Sequence, residues 1–588
     1  MVRDNTGVTS LVVTNGSTSN ATALMQAADA DVFQMNKSPA SVTLNNYGQM
    51  VSLNASGGGN QVVDFNAIAS GANIVNNYAG GLMKATEADV VRPGLNGVVN
   101  NWGTILSVTT TGSSSDGIDA QALSGIQVNN AGLVQGARHG ITGGQDVATV
   151  GFTMTVKNGA GGVIQGDNGS GLNIDGLNAL QVVNVDNAGT IIGRGVTGDG
   201  DGLDVDGVVF VTNRSTGVIR SVNSFSTVAA GLAYSEALSV GGGQITNAGL
   251  VEGLVASGNT NAVGRGISLV GNDITTGVNA GKREALYASA VVVNQAGGLI
   301  RGQSDSAIYA GGLTGSGRTV LIQNDAGGTL RGGGASTAAI VVASDYATTV
   351  TNAGVIDGRS SGKAITLGSG QNTVLISGGQ AQVLGDIDGG SGTANVLHLD
   401  PGAGNGFSYA DALSGFASVR IDSGQVTLSG VSHFTGTTVV AKGAVLELAG
   451  ANRLAADSSL DLAGGRLVLT GAAGSVGQTF AVLSLTGSSE IDLGGSALSF
   501  GAVGSLASGA QLSITHGGAN SLRFVGNQLG DASFQSLVAA TLFDGLHAVA
   551  RFDGTFTNIS AVPEPNMAWL LAAGLASFAL LLRRRQAR

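Results

Sequence analysis

An Asn–Gly turn recurs through the first two thirds of the chain and limits the fold more than any other feature. It reads Asn46-Tyr47-Gly48, Asn77-Tyr78 with Gly80, Asn101-Trp102-Gly103, Asn130-Ala131-Gly132, Asn158-Gly159, Asn187-Ala188-Gly189 and Asn213 with Gly217. It continues at Asn247-Ala248-Gly249, Asn294 with Gly297, Asn324 with Gly327 and Asn352-Ala353-Gly354. The mean spacing is about 31 residues. The step from Asn247 to Asn294 is longer and predicts an inserted loop, placed at Asn272 to Glu284.

Each repeat holds three short apolar-alternating runs between Gly turns. In one repeat these are Val163-Ile164-Gln165, Leu172-Asn173-Ile174-Asp175 and Gln181-Val182-Val183-Asn184-Val185. The middle run forms a column: Gly140-Ile141, Gly171-Leu172, Gly202-Leu203, Gly231-Leu232, Gly266-Ile267, Ala307-Ile308, Ala339-Ile340 and Ala364-Ile365. A period of two with β-branched residues is a strand signal, not a helix signal. A three-strand unit cannot bury a face by itself, so the units must stack. The predicted fold is all-β: a right-handed parallel β-helix with apolar ladders inside and an Asn above an Asn at each turn. Eleven coils at strand spacing give about 50 Å for this part.

Five segments follow. Residues 1–30 are an N-terminal segment with an incomplete start, and 31–369 are three-strand coils of about 29–31 residues. Residues 370–479 are shorter coils, with runs such as Val445-Leu446-Glu447-Leu448 and Leu467-Val468-Leu469. Residues 480–561 are a β cap rich in Phe, and 562–588 are a terminal signal with a transmembrane helix over 567–582.

Composition excludes several classes. Gly makes up 98 of 588 residues with only 5 Pro, and hydrophobic residues reach 43%, so the chain is neither collagen-like nor disordered. It has no Cys, which excludes disulfides, Cys-ligated zinc, iron–sulfur clusters and thiol catalysis. The net charge of −11, from 27 basic and 38 acidic side chains, argues against a nucleic-acid partner. The one dense basic run is Arg583, Arg584, Arg585 and Arg588.

Candidate chemistry is sparse. His139, His398, His433, His516 and His547 are far apart, none in a metal-ligand spacing, and are assigned no role. The densest acidic cluster is Asp199-Gly200-Asp201-Gly202-Leu203-Asp204-Val205-Asp206. Alternating Asp and Gly can wrap Ca²⁺, with Asp199, Asp201 and Asp204 as ligands. The favoured reading is a solvated turn and strand, with Leu203 and Val205 inward and Asp204 and Asp206 outward. No other cofactor is expected. An outward stripe runs Gln135, Gln165, Arg220, Glu252, Arg301, Arg331 and Asp357. Arg301 and Arg331 could grip an acidic sugar, although a solvated face is favoured. Polysaccharide lyases and hydrolases on β-helices need clustered carboxylates on one face. The varied stripe points instead to a chain that is not an enzyme.

Two resemblances bear on function. The coils resemble the passenger regions of autotransporters, and Phe434-Thr435-Gly436-Thr437-Thr438-Val439 with Gly443-Ala444-Val445-Leu446 resembles the autotransporter-associated β-strand repeat. This implies an elongated body and no particular activity. The roughly 30 residues after Asn558 are too few for an outer-membrane barrel. What stands there is Val562-Pro563-Glu564-Pro565, an apolar run from Met567 to Leu582, then Arg583-Arg584-Arg585. This closely resembles the PEP-CTERM sorting signal of Gram-negative bacteria. The resemblance implies that an exosortase reads Pro563, Glu564 and Pro565, and that exopolysaccharide is a partner.

The tail has its own physics. Sixteen helical residues span about 24 Å, slightly short of the hydrocarbon core. Trp569 suits one interface, and Arg583, Arg584 and Arg585 can reach the other, on the cytoplasmic side. The body is then exported: it is held at the inner membrane before processing and lies at the cell surface or in the matrix afterwards. Met1-Val2-Arg3-Asp4-Asn5-Thr6-Gly7 lacks the apolar core of a signal peptide, so the natural start is expected upstream. The expected function is a structural or adhesive surface or matrix protein. The alternatives are an enzyme degrading extracellular polysaccharide and a passive surface spacer.

Overall fold

The computed structural model describes residues 2–4, 10–36, 41–55, 60–109, 115–197, 200–223, 233–470, 476–518, 520–562, 574–580 and 583. The chain divides into two units. The first comprises residues 1–398 with 411–416, and the second 399–410 with 417–588.

The first unit is a parallel β-helix with three strands per coil. One coil passes through Gln181–Asn187, Thr190–Arg194 and Leu203–Val205, and each strand pairs in parallel with its counterpart in the next coil. Three sheets result, here called second, third and first in that order. Among the described residues the first sheet has 15 strands and the third has 13.

Alternation decides which side chains enter the coil. In the first sheet Ile141, Leu172, Leu203, Leu238, Ile267, Ile308, Ile340 and Ile365 stack in register. In the second, Val156, Val185, Val211, Ile245, Val292, Ile322 and Val350 do the same. In the third the column is Ile164, Ile191, Ile219, Val251, Ile300, Leu330 and Ile356. All are buried. Each such side chain contributes about 1.5–3 kcal/mol, and every coil adds three or more.

One rung differs from the sequence expectation. Ala237-Leu238, not Gly231-Leu232, holds the inward position that follows Leu203. The coil carries extra residues after Val222, which displaces its rung along the sequence. Gly231 and Leu232 lie outside the described residues.

The Asn turns form a continuous buried ladder between the second and third sheets. Asn15 Nδ2 donates to Asn46 Oδ1 at 2.8 Å, and the relation repeats through Asn77, Asn101, Asn130, Asn158 and Asn187 at 2.8–2.9 Å. It continues through Asn213, Asn247, Asn294, Asn324 and Asn352 at 2.7–2.9 Å. The same amides cross-link the turns: Asn158 Nδ2 also reaches the carbonyls of Gly162 and Thr190. The ladder therefore combines amide-to-amide bonds with amide-to-backbone ones. The Gly that follows is required at some turns. A Cβ at Gly189 would lie 2.2 Å from the Gly162 carbonyl oxygen.

In the second unit each coil has two strands. One sheet stacks Val419, Thr438, Leu460 and Leu483. The other stacks Val426, Leu446, Leu467, Ile491 and Ile514. The two-strand coils begin after the first sheet's last strand, Leu413–Ser414. Phe480, Phe500 and Phe524 stack one per coil, with ring centroids 5.7 and 5.4 Å apart. Phe534 meets Phe524 edge-on at 5.1 Å.

Phe534 belongs to a helix, Ala532–Ala539, where the sequence reading had only strands. Asp531 caps it by accepting from the Phe534 N–H at 2.7 Å, and Phe534, Leu537 and Val538 bury one face. Phe556–Ala561 then pairs antiparallel with Leu522–Val525 and with Leu546–Phe552, covering an edge that would otherwise present unpaired backbone. Residues 574–580 are helical and exposed, and among the described residues no helix is long and apolar enough to cross a membrane.

Candidate functional site: the outer face of the first sheet

Polar chemistry gathers on the outer face of the first sheet, over five successive coils. The outward column is Asn173, Asp204, Ser239, Ser268 and Tyr309. Alternation puts these residues opposite the inward Leu and Ile. Asp175 and Asp206 each follow an inward residue, Ile174 and Val205, which are in register, so the two carboxylates sit one coil apart.

Arg265 is the centre of a closed network. Its Nε and Nη2 donate to Asp305 Oδ2 at 2.9 and 2.6 Å, and its Nη1 donates to Glu236 Oε1 at 3.0 Å and to Ser268 Oγ at 3.1 Å. Ser268 Oγ donates to Glu236 in turn. The guanidinium also lies between two rings, 4.1 Å from the centroid of Tyr234 and 4.2 Å from that of Tyr309. Burial works against its charge, but Glu236 and Asp305 outweigh burial and raise its pKa.

A hairpin closes over one side of this face. Glu284 N–H donates to Asn272 O, and Ile274 N–H to Lys282 O, each at 2.8 Å. Arg283 pairs with Asp273 at 2.6 Å, and Val278 at the tip is 99% exposed. Asn272 Nδ2 reaches back to the Gly176 carbonyl at 3.1 Å, tying the hairpin to the coil that carries Asp175. At the hairpin's far end the Leu286 N–H donates to the buried Tyr346 Oη at 3.1 Å. Asp204 and Asp206 do face out of the coil, as read from alternation, but they are half-buried rather than solvated. Burial, and then the charge of Asp175, pushes Asp206 up to about 6. Asp175 is raised as well, by burial first and then by Asp146. Asp206 therefore takes up a proton as pH falls through about 6.

A second buried column runs along the edge where the first sheet begins, and sequence reasoning missed it. Asp89 Oδ1 accepts from the Asp116 N–H at 3.1 Å, Asp116 Oδ1 from His139 N–H at 2.9 Å, and His139 Nδ1 from Ser170 N–H at 2.9 Å. Ser170 Oγ accepts from Asp201 N–H at 3.2 Å and Asp201 Oδ1 from Glu236 N–H at 2.9 Å. The signal was present: each lies two residues before an inward residue of the first sheet. His139, left without a role on sequence grounds, is a rung here. Burial, then Arg138, drives its pKa down to about 3, so it stays neutral and accepts. Arg92 bonds Asp89 and Arg138 bonds Asp116, both at 2.7 Å. Nearby, burial and then the charge of Asp89 raise Asp119 to about 7.

Of the calcium candidates, Asp199 lies outside the described residues. Asp201 is 2% exposed and serves the edge column, whereas Asp204 is on the outer face. Among the described residues no group of three or more His, Asp or Glu side chains is arranged to hold a metal. The outward stripe is in register as read, with Ile192 filling the gap between Gln165 and Arg220. Glu252 is clasped by Arg220 and Arg301, and Asp357 is held by Arg331 and Arg359. Arg301 and Arg331 are thus already engaged with carboxylates of the chain. Pro563, Glu564, Pro565, Trp569, Arg584 and Arg585 lie outside the described residues, and Arg583 is exposed.

No family model matches the chain, and no curated protein matches it.

Proposed function

We propose that the chain is a non-enzymatic exported protein, a structural or adhesive component of the cell surface or exopolysaccharide matrix. The observation that carries this reading is the three-part tail: Pro563-Glu564-Pro565, the apolar run Met567–Leu582 and Arg583-Arg584-Arg585. In this reading an exosortase recognises Pro563, Glu564 and Pro565. The apolar run crosses the inner membrane as a helix, with Trp569 at one interface and the arginines in the cytoplasm. The β-helix, taken as right-handed, then lies outside the cell. The ion pairing of the polar face supports a scaffold role, because Arg265, Glu236 and Asp305 already satisfy one another.

Mass spectrometry of the C-terminal peptide from native cells tests this, with membrane, surface and medium fractions compared. Surface or medium protein ending near Pro563–Pro565 is the expected result. Persistence of 567–588 on all mature protein would overturn it. A second reading, an enzyme acting on extracellular polysaccharide, draws on the Asp175–Asp206 pair and its raised pKa values. Reducing-sugar and unsaturated-product assays on neutral and acidic glycans, with Asp206→Asn as control, separate the two.

A further inference from the structure

Among the described residues, the corner between the second and third sheets carries aromatic residues in only three coils. Tyr47, Tyr78 and Trp102 each follow an Asn of the buried ladder. Tyr47 and Tyr78 stack with centroids 4.2 Å apart and planes 3° apart, and Tyr78 and Trp102 at 5.6 Å and 11°. The two tyrosines are half-buried, but Trp102 is 47% exposed. It is the last ring of the stack. The next two coils place Ala131 and Gly159 at the same turn position. A Cβ built at Gly159 meets nothing nearer than 3.4 Å. One indole face is therefore covered by Tyr78, while the other looks along the coil axis over a step of small residues.

A row of amides runs beside the rings. Asn45, Asn76, Asn100 and Asn129 point outward in register. Asn76 Nδ2 donates to Asn45 Oδ1 at 3.0 Å, Asn100 to Asn76 at 2.9 Å and Asn129 to Asn100 at 2.8 Å. This fixes each carboxamide plane. A carboxamide has two N–H donors and two lone pairs, so an interior member of the row keeps one donor and one lone pair for a hydroxyl. A flat apolar face beside oriented, uncharged donors and acceptors matches a pyranose, which has a C–H face and a rim of hydroxyls. The net charge of −11 disfavours a polyanionic chain.

We infer that Trp102, with Asn100 and Asn129, forms a binding site for a neutral glycan, one sugar ring seating on the outer indole face. The inference deepens the matrix reading and rests on it for where the glycan is met. The test uses the full chain with Trp569→Phe, leaving Trp102 as the only fluorophore of its kind, titrated with soluble neutral glucans, mannans and xylans and with polygalacturonate. A saturable change in indole emission with a neutral glycan is expected, with affinity falling at least tenfold in Trp102→Ala by affinity electrophoresis. Ala131→Tyr extends the stack over the indole and should abolish the Trp102 response while the melting temperature holds, which guards against a misfolded Trp102→Ala. No saturable response to any neutral glycan overturns the site, as does binding of polygalacturonate alone or full binding by Trp102→Ala. If that occurs while surface protein still ends near Pro563–Pro565, the export reading stands and this site alone falls.

Discussion

The two units solve one problem, the stacking of identical coils, with different chemistry. In the first, turns are locked by an amide ladder from Asn15 to Asn352 and the sheet edge by the column from Asp89 to Glu236. In the second, coils shorten to two strands and the interior is filled by Leu and by the Phe480–Phe500–Phe524 stack. At the Asn corner of the three-strand coils, backbone carbonyls such as those of Gly162 and Thr190 take amide donors. The two-strand coils instead bury Phe480, Phe500 and Phe524 and need volume there. The first unit is therefore specific in hydrogen bonding, and the second in shape.

Substitutions can break or sharpen this contrast. The largest effect is expected for Phe500→Ala, which empties a fully buried site between two rings and should cost about 4 kcal/mol in urea unfolding followed by circular dichroism. Asn158→Leu comes next. It keeps the size but removes an acceptor from the Asn130 amide and a donor from the Asn187 oxygen and from the carbonyls of Gly162 and Thr190. With four buried polar groups each losing a partner, it should cost about 3 kcal/mol. Phe500→Leu should cost only about 1 kcal/mol, because a roughly volume-conserving apolar change is tolerated. Equal losses for the two Leu substitutions would erase the contrast.

The buried acids add a pH signature to the first unit. Asp119 is raised to about 7, so its contribution is full below its unfolded value near 4 and is lost as pH rises through about 7. Asp119→Asn should therefore gain stability relative to the parent over that window. His139 has the opposite sign: its contribution is full above the unfolded value of 6.5 and is lost as pH falls toward about 3. Unfolding midpoints measured from pH 4 to 8 check both directions. The smallest effect is expected for Arg214→Ala. Its pair with Asp186 is exposed and screened, so no shift of the midpoint should be measurable.

The periodic part of this fold was legible because each coil repeats the same local signals. An Asn before a Gly marks a corner, and alternation marks the inward face. Asn15 escaped notice since its turn, Asn15-Gly16, precedes the recognisable repeats, yet it is a full rung. Leu238 was displaced by the longer coil before it. The Arg265 network was hidden for a related reason. Glu236, Arg265 and Asp305 lie in three coils, and two of those coils carry insertions. The helix Ala532–Ala539 did leave a trace, an Asp cap followed by Phe534, Leu537 and Val538 at helical spacing. The run was read as strand because every neighbouring segment is one.

The two rows of asparagine also have a polarity. Along the buried ladder every Nδ2 donates to the coil that follows. Along the outer row, from Asn129 back to Asn45, every Nδ2 donates to the coil that precedes. Aligned amide dipoles add and polarise one another. The two rows therefore oppose each other through the coils of the aromatic stack. Beyond Asn129 the inner row continues alone, leaving its donor end at Asn352 and its acceptor end at Asn15. The first unit thus carries a built-in electrical direction that its formal charges do not reveal.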